Sequence, residues 1–238
     1  MIDHGLPYHT KRFNNKNYDQ LRFPGPRPGE PAPDFTVHDL HGNEVKLSDF
    51  KGKWVVIETG SITCSMFVHC IPGMNALTHD YPDVEFLVIY VREAHPGERT
   101  PQHQDMGHKM AAAKRMKRKY REARRVLVDS LDGAMHKAYS LHMPNIVYVI
   151  NPEGIVTYRC DWAHEAGVRD ALDHRDKLHF TEHAHTEMLM GRSRGKAIMV
   201  MLNGGLLALW DFVKAWPNFA KIHAEVDDQF EKHKRLKP

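Results

Sequence analysis

Cysteine is scarce in this chain: Cys64, Cys70 and Cys160 are the three cysteines among its 238 residues. The count is odd and the spacing matches no disulfide framework, which excludes a small secreted scaffold held together by disulfides. A chain of this length buries a sizeable core without such bonds. We expect a cytoplasmic protein, because the thiols suit a reducing compartment and the first residues lack the apolar segment of a signal peptide.

Long apolar runs are also missing. The most apolar segment, residues 197–213, is interrupted by Asn203, Asp211 and a pair of glycines. A membrane-spanning helix needs about 20 mostly apolar residues. We therefore predict no membrane span, and instead a helix that packs on the core or on a second subunit, as in a homodimer.

The charge balance points to neither nucleic acid nor metal. The formal net charge is only +3, although residues 109–125 are strongly basic. We interpret these basic residues as a solvated helix face and predict no nucleic-acid partner. Histidine is abundant, yet even the cluster His179, His183 and His185 matches no standard zinc spacing, so no metal site is predicted.

Three regions follow one another along the chain. Residues 1–30 are rich in Asn, Pro and Gly, which predicts an irregular N-terminal arm. Residues 31–178 alternate apolar strands with helices, which indicates an α/β domain whose mixed sheet is covered by helices. Residues 179–238 have only helical patterns and are predicted to form a C-terminal helical extension. Strands are expected at 35–40, 44–47, 53–59, 84–91, 126–128, 146–150 and 155–159, and helices at 64–79 with a kink or break at Pro72, 106–123, 133–141, 167–179, 182–190, 196–213 and 217–234.

Cys64 lies where a strand pattern ends at Gly60 and a helical pattern begins. The free N–H groups and the dipole at a helix N-terminus stabilise negative charge, and can lower the pKa of a thiol below its free value of about 8.5. A reactive thiolate is the functional interpretation. A buried, inert cysteine is the alternative.

Several segments resemble known proteins. The segments Pro31-Ala-Pro-Asp-Phe-Thr-Val37 and 42–56 resemble the start of a thioredoxin-fold redoxin. The later segments resemble the iodothyronine deiodinases in order and approximate spacing, and the resemblance covers residues 31–162. It implies a thioredoxin-like fold, to which the C-terminal helices are an addition. The segments that carry it are Gly60-Ser-Ile-Thr-Cys64, Ile89-Tyr-Val-Arg-Glu-Ala-His-Pro96, Pro101-Gln-His103 and Leu127-Val-Asp-Ser130 with Ala138-Tyr139.

The resemblance also implies a catalytic set. In the deiodinases a selenocysteine occupies the position of Cys64, and a threonine precedes it, here Thr63. The residues that line the substrate site correspond to Glu93, His95 and His103. The plain cysteine makes this chain similar to the microbial relatives of that family, and sulfur is the weaker nucleophile toward a halogen.

Reductive dehalogenation requires an acid, because the aromatic carbon must receive a proton as the halogen leaves to sulfur. A histidine whose pKa is near neutral is the natural donor. We therefore expect His95 or His103 to supply the proton, and Glu93 to orient or charge that histidine.

Recycling of an oxidised Cys64 has two candidate routes. Cys70 lies six residues along the predicted helix, a rise of about 9 Å, beyond the Cα separation of about 7 Å that a disulfide spans. A bridge therefore requires the helix to unwind, for example near Pro72. An external thiol reductant, with no bound cofactor and with Cys70 in the core, is the alternative. Ile62 stands where some deiodinases have a second cysteine.

Four further residues are candidates for the substrate site. Met143 and Pro144 occupy the place where thioredoxin-fold proteins usually have a cis-proline beside the nucleophile, so a cis bond is expected there. Ser61 and Phe67 flank Cys64. Ser61 also stands at the threonine position of the peroxiredoxin motif, although Ile57 replaces the proline of that motif.

Three functions remain open from the sequence. The first is a thiol-dependent oxidoreductase that dehalogenates an iodinated or phenolic aromatic. The second is a thiol peroxidase in which Cys64 forms a sulfenic acid that Cys70 or an external thiol resolves. The third is a non-catalytic thioredoxin-fold interaction module. Exchange through a local dithiol is disfavoured, because Phe67 replaces the second cysteine of a Cys-x-x-Cys pair.

Overall fold

The computed structural model describes residues 7–14, 23–141, 143–179 and 194–235. Its strands are β1 (Thr36–Asp39), β2 (Glu44–Lys46), β3 (Trp54–Gly60), β4 (Val84–Tyr90), β5 (Arg125–Val128), β6 (Ile146–Ile150) and β7 (Val156–Asp161). Its helices are α1 (Ser65–Asp80), α2 (Met106–Tyr120), α3 (Ala134–Tyr139), α4 (Glu165–Asp173), α5 (Arg194–Gly204) and α6 (Leu206–Arg235).

The strands form one sheet in the order β2-β1-β5-β4-β3-β6-β7. The three central strands β5, β4 and β3 run parallel to one another. Each outer strand is antiparallel to the strand beside it: β6 to β3 and β7 to β6 on one side, and β1 to β5 and β2 to β1 on the other. Strands β3 and β4 are apolar along most of their length, because helices cover both of their faces. The mixed α/β sheet of a thioredoxin-like fold, predicted from the sequence, is confirmed.

Two apolar layers hold the helices on the sheet. One face packs against α3, with Ile57 and Ile89 of the sheet facing Met135 and Tyr139 of the helix. The other face packs against α1, α2 and α4. In the arm, residues 7–14 and 23–30 have no helix or strand, and Tyr8 and Phe13 are buried.

A buried ion network lies between the sheet and α1. Arg124 donates hydrogen bonds to Glu58 of β3 and to both carboxylate oxygens of Glu122, at 2.8 and 2.7 Å. The Asn145 amide donates to Glu58 at 2.9 Å. The expectation that residues 109–125 form a solvated face is therefore wrong for Arg124. It is also wrong for the fully buried Lys109, whose pKa burial lowers to about 8.

The helix boundaries differ from the sequence predictions at two prolines. Helix α1 runs without a break through Pro72, where a kink or break was expected. The C-terminal break lies at Gly205, whose φ of +112° suits glycine, and α6 continues through Pro217. The predicted helix 167–179 begins earlier and ends at Asp173. The helix predicted at 182–190 lies outside the described residues. The division of the chain into three regions, with boundaries after residues 30 and 178, stays a prediction.

Candidate functional site

The loops that follow β3 and β4 meet at one edge of the sheet. The two strands are parallel neighbours, so the loop 61–64 after β3 and the loop 91–103 after β4 leave the sheet on the same side. Gly60 is required at the end of β3, because a Cβ there would lie 2.2 Å from the Phe67 ring. Cys64 is the N-cap residue of α1. The structure thus brings the predicted nucleophile to the loop that holds the predicted acids.

Cys64 is almost fully buried, with 2% of its surface exposed. Burial raises the pKa of its thiol to about 12. The backbone N–H groups of Met66 and Phe67 lower that pKa, as a helix start should, but the lack of solvation outweighs them. The charges of Glu58 and Glu93 also raise it. The expectation of a lowered pKa is therefore wrong for this closed conformation.

The Glu93 carboxylate contacts three other side chains of the site. Thr63 Oγ1 donates to Glu93 Oε2 at 2.5 Å, the Tyr90 hydroxyl donates to Oε1, and His103 Nε2 lies 3.0 Å from Oε1. Burial alone would raise the pKa of Glu93. The hydrogen bond and charge of His103, together with the two hydroxyls, hold that pKa below its ordinary value. Glu93 is therefore a buried carboxylate whose negative charge faces His103.

Further hydrogen bonds fix the two loops against each other. Ser61 Oγ accepts from the Ala94 N–H at 3.2 Å, and Thr63 Oγ1 accepts from the His95 N–H at 3.1 Å. Gln102 accepts from the Glu93 N–H at 3.0 Å and donates to the Glu93 carbonyl at 2.8 Å. Ser61 therefore supports the loop rather than presenting its hydroxyl to solvent.

Two residues of this network were missed as site residues, namely Tyr90 and Gln102. Both belong to the motifs Ile89-Tyr-Val-Arg-Glu-Ala-His-Pro96 and Pro101-Gln-His103, so the signal was present in the sequence. Tyr90 also accepts from the Ile62 N–H at 3.2 Å, which links Glu93 to the nucleophile loop.

His95 has a different environment from His103. Its ring lies between the rings of Phe13 and Phe212, at centroid distances of 4.3 and 5.4 Å. Burial lowers the pKa of His95 to about 3, so its imidazole is neutral. The expectation of a near-neutral pKa is wrong for His95, because this apolar cage removes the water that would stabilise the charge. Of the two candidate histidines, the one that faces Glu93 is His103.

The C-terminal helices lie directly over the nucleophile loop. The side-chain amide of Asn203 donates to the Ile62 carbonyl at 2.9 Å, and the backbone carbonyl of Asn203 accepts from the Thr100 hydroxyl at 2.6 Å. Gly204 approaches so closely that a Cβ there would lie 2.4 Å from the His95 carbonyl oxygen. We call α5 and residues 206–216 of α6 the helical cover. It accounts for part of the burial of the site.

Cys70 lies apart from Cys64 in the packing of α1. Its Sγ donates to the Ala163 carbonyl at 2.8 Å, within the hydrophobic cluster shared with α4. Cys64 belongs to the cluster shared with α2. All three cysteines are free. The structure therefore places Cys70 in the core. Of the two candidate routes for recycling Cys64, this position favours an external thiol over a disulfide with Cys70.

The peptide bond before Pro144 is trans, so the expected cis-proline is wrong. The Met143 carbonyl accepts hydrogen bonds from His136 Nε2 at 2.6 Å and from Ser140 Oγ at 3.1 Å. The Pro144 carbonyl accepts from the Thr59 hydroxyl at 3.4 Å. The carbonyl groups of Met143 and Pro144 thus form hydrogen bonds within the protein and are not presented to a substrate. The side chains of Met143 and Phe67 are both buried.

The described part of the chain has neither a cluster of metal-binding side chains nor a membrane-spanning helix. In residues 7–14, 23–141, 143–179 and 194–235, no three His, Cys, Asp or Glu side chains are placed to hold a metal ion. Within the same ranges no helix is long and apolar enough to cross a membrane. His183 and His185 of the histidine cluster lie outside the described residues.

Comparison with known proteins agrees with this arrangement. The sequence model of the family "Iodothyronine deiodinase" matches residues 8–170. The chain is 28% identical to the thyroxine 5-deiodinase of Ovis aries over 144 residues, 55% of this chain and 48% of the relative. It is 39% identical to the thiol-disulfide oxidoreductase ResA of Geobacillus kaustophilus over 67 residues, 27% of this chain and 38% of the relative.

The fold has solved counterparts. An uncharacterized conserved protein from Geobacillus kaustophilus superposes with a TM-score of 0.53 at 20% identity, over 68% of this chain and 88% of that structure. The chain spans less than half the length of the curated relatives it matches. The family match nevertheless covers most of the chain, including every residue of the Cys64 and Glu93 loops. This chain belongs to the iodothyronine deiodinase family, as a redox protein with the thioredoxin fold.

Proposed function

We propose that this protein is a cysteine-dependent reductive dehalogenase of an iodinated or phenolic aromatic. The observation that carries the proposal is the buried carboxylate of Glu93, which joins Thr63, the neighbour of Cys64, to His103. Such an arrangement would bring a nucleophile, Cys64, and a proton donor, His103, together at one edge of the sheet. Membership of the deiodinase family supports the same assignment.

The reaction balances with these groups. The Cys64 thiol loses its proton and its sulfur attacks iodine, the carbon–iodine bond breaks, and the aromatic carbon takes up a proton. The products are a sulfenyl iodide on Cys64 and the dehalogenated aromatic. Two molecules of an external thiol then restore the Cys64 thiol, and they leave as a disulfide together with iodide and a proton.

His103 is the proton donor in this proposal. Its Nε2 lies 3.0 Å from Oε1 of the Glu93 carboxylate, a contact that would hold the ring at this edge of the sheet. His95 is neutral and packed against aromatic rings, so in this proposal it lines the site and does not donate a proton. Glu93 and Thr63 position His103 and the nucleophile loop.

Activity requires the helical cover to move. Cys64 is closed off in the described conformation, and opening would restore water to the thiol while the N–H groups of Met66 and Phe67 stay in place. The covered thiol holds its proton more tightly than a solvated thiol would, because burial raises its pKa. The closed form therefore loses stability relative to the open form as the pH rises from about 9 toward about 12.

Substitution of Gly204 by valine is expected to loosen the cover, because the new side chain would collide with the His95 carbonyl. We expect alkylation of Cys64 by iodoacetamide, followed by mass spectrometry, to accelerate at least tenfold. Gly195→Val on the same helix is the matched control, since a Cβ there meets nothing within 4 Å. Equal rates in the two variants would show that the cover does not limit access.

The proposed activity is tested with the reduced protein, dithiothreitol and an iodothyronine. We expect iodide release that Cys64→Ser reduces to the uncatalysed background, whereas Cys70→Ser and Cys160→Ser retain it. A parallel assay follows the loss of hydrogen peroxide. Peroxide loss without iodide release, again dependent on Cys64, would replace the dehalogenase with the peroxidase. Neither activity above the Cys64→Ser baseline would contradict both.

A further inference from the structure

The N-terminal arm places an aromatic ring against the candidate site. Phe13 is buried, and its ring lies 4.3 Å from the His95 ring and 6.4 Å from the Phe212 ring of the helical cover. The His95 N–H donates to Thr63, the residue before Cys64. Phe13 therefore packs on a side chain whose backbone is joined to the nucleophile loop.

The imidazole beneath this ring has an unsatisfied nitrogen. Among the described residues, His95 Nδ1 has no hydrogen-bond partner although it is buried. Such buried polar atoms are rare in folded proteins and cost free energy. Burial lowers the pKa of His95 to about 3, so its ring is neutral, with one nitrogen that donates and one that accepts. Phenylalanine has no polar atom to offer Nδ1, whereas the hydroxyl of a phenol can either donate to it or accept from it.

The arm is held by contacts of two kinds. Tyr8 is buried, and its carbonyl accepts from Arg92 at 2.5 Å. Near Phe13, the Arg12 guanidinium donates to both carboxylate oxygens of Asp211, at 2.5 and 2.6 Å, but the Arg12 side chain is 45% exposed. An exposed ion pair contributes little, because water solvates both partners when they separate. Phe13 can therefore leave while Tyr8 stays in place.

We propose that the N-terminal arm is an internal inhibitor, in which Phe13 occupies the place of the aromatic ring of a phenolic ligand beside His95. Release of Arg12 from Asp211 frees Phe13 to leave, and the hydroxyl of the ligand then bonds to His95 Nδ1. The class of ligand rests on the proposed function. The competition between arm and ligand concerns binding alone and does not require the chemistry at Cys64.

Isothermal titration calorimetry of the full chain with 4-phenoxyphenol, which contains no iodine, tests the proposal. Phe13→Ala removes the competing ring, and we expect its Kd to be at least tenfold lower than that of the unchanged protein. A tenfold change corresponds to a site that Phe13 occupies about 90% of the time. Phe23→Ala is the matched control and should leave the Kd unchanged, because Phe23 is a phenylalanine of the arm that packs on Tyr148 and Arg159.

A second variant distinguishes an inhibitor from a cavity created by the substitution, since a new apolar cavity also binds aromatic rings. Arg12→Gln keeps Phe13 in the chain but weakens the contact with Asp211, so we expect a Kd about two- to fivefold lower. Arg169→Gln is its control and should leave the Kd unchanged, because Arg169 is equally exposed and pairs with Asp80 at 2.6 Å.

The ligand itself supplies a third comparison. Diphenyl ether has the same two rings as 4-phenoxyphenol but no hydroxyl. We expect Phe13→Ala to bind diphenyl ether at least fivefold more weakly than the phenol, because a site with a buried hydrogen-bonding atom rejects the analogue that leaves this atom unpaired. A plain cavity would bind both ligands.

Four results would overturn the proposal, each with variants that circular dichroism shows to be folded. They are absence of phenol binding by Phe13→Ala, equal Kd values for Phe13→Ala and Phe23→Ala, equal Kd values for Arg12→Gln and Arg169→Gln, and equal binding of the two ligands by Phe13→Ala. The iodide assay fails separately. Tighter phenol binding without iodide release would contradict the dehalogenase and keep the inhibitor, whereas iodide release with no effect of Phe13 or Arg12 on binding would do the reverse.

Discussion

Arg124→Met is expected to lower the free energy of unfolding by about 3–5 kcal/mol, the usual cost of removing one partner from a buried ion pair. Arg124 compensates two buried carboxylates, Glu58 and Glu122, through hydrogen bonds to both. Methionine fills a similar volume but leaves these charges without a cation. Chemical denaturation at neutral pH measures the loss.

The pH dependence identifies the cause of that loss. Burial raises the pKa of Glu58 above its ordinary value of 4.5 even with Arg124 present, and removal of the cation would raise it further. A raised pKa favours the folded state below the unfolded-state pKa and loses that contribution as the pH rises. The deficit of Arg124→Met should therefore shrink as the pH falls toward 4.5. Arg118→Met, at an exposed position of α2, is the control. A comparable loss in both variants would contradict this account of Arg124.

Glu93→Gln is expected to reduce iodide release by about 10²–10³-fold, within the range that general acid–base groups contribute. Glutamine keeps the shape of the side chain but removes the charge that faces His103. The loss should appear in kcat, because the proton is transferred in the chemical step. Steady-state kinetics with an iodothyronine and excess dithiothreitol measure it.

Stability in acid provides an independent measurement on the same residue. The pKa of Glu93 is held below its ordinary value of 4.5, so its ionised form stabilises the fold above that pH. This contribution is lost as the pH falls through the lowered pKa. Glu93→Gln should lack that acid-dependent change, whereas Glu85→Gln, on the surface beside Lys53, should retain it. Unchanged kcat in Glu93→Gln would remove Glu93 from the proposed mechanism.

Local patterns were sufficient for the elements that position the site. The continuous apolar runs of β3 and β4 predicted two buried central strands, and the change of pattern after Gly60 predicted that Cys64 begins a helix. Parallel neighbouring strands bring their following loops together, so the motif around Glu93 could be expected near Cys64. These predictions depend on residues close to one another in sequence.

The failed predictions depend on distant residues. Helix propensity placed the C-terminal break before Pro217, but the break occurs at Gly205, where the Glu98 carboxylate accepts from the N–H groups of Leu206 and Leu207 and caps the start of α6. Glu98 lies more than 100 residues earlier in the chain. Likewise, the sequence pattern groups Arg124 with the basic surface residues, because it does not reveal the contact with Glu58, which lies 66 residues earlier in the chain.

The amino-acid sequence by itself determined the α/β architecture, the place of Cys64 at a strand-to-helix junction and the membership of Thr63, Glu93 and His103 in one loop cluster. Only the tertiary structure decided their electrostatic states. The pKa of a thiol or an imidazole depends on how many water molecules and charges surround it. At Cys64 and His95 that surrounding is supplied by residues from both ends of the chain, among them Phe13, Asn203 and Phe212. The N–H groups at the start of α1 lower the pKa of the Cys64 thiol. The exclusion of water by the fold raises that pKa by more, so the net shift is upward.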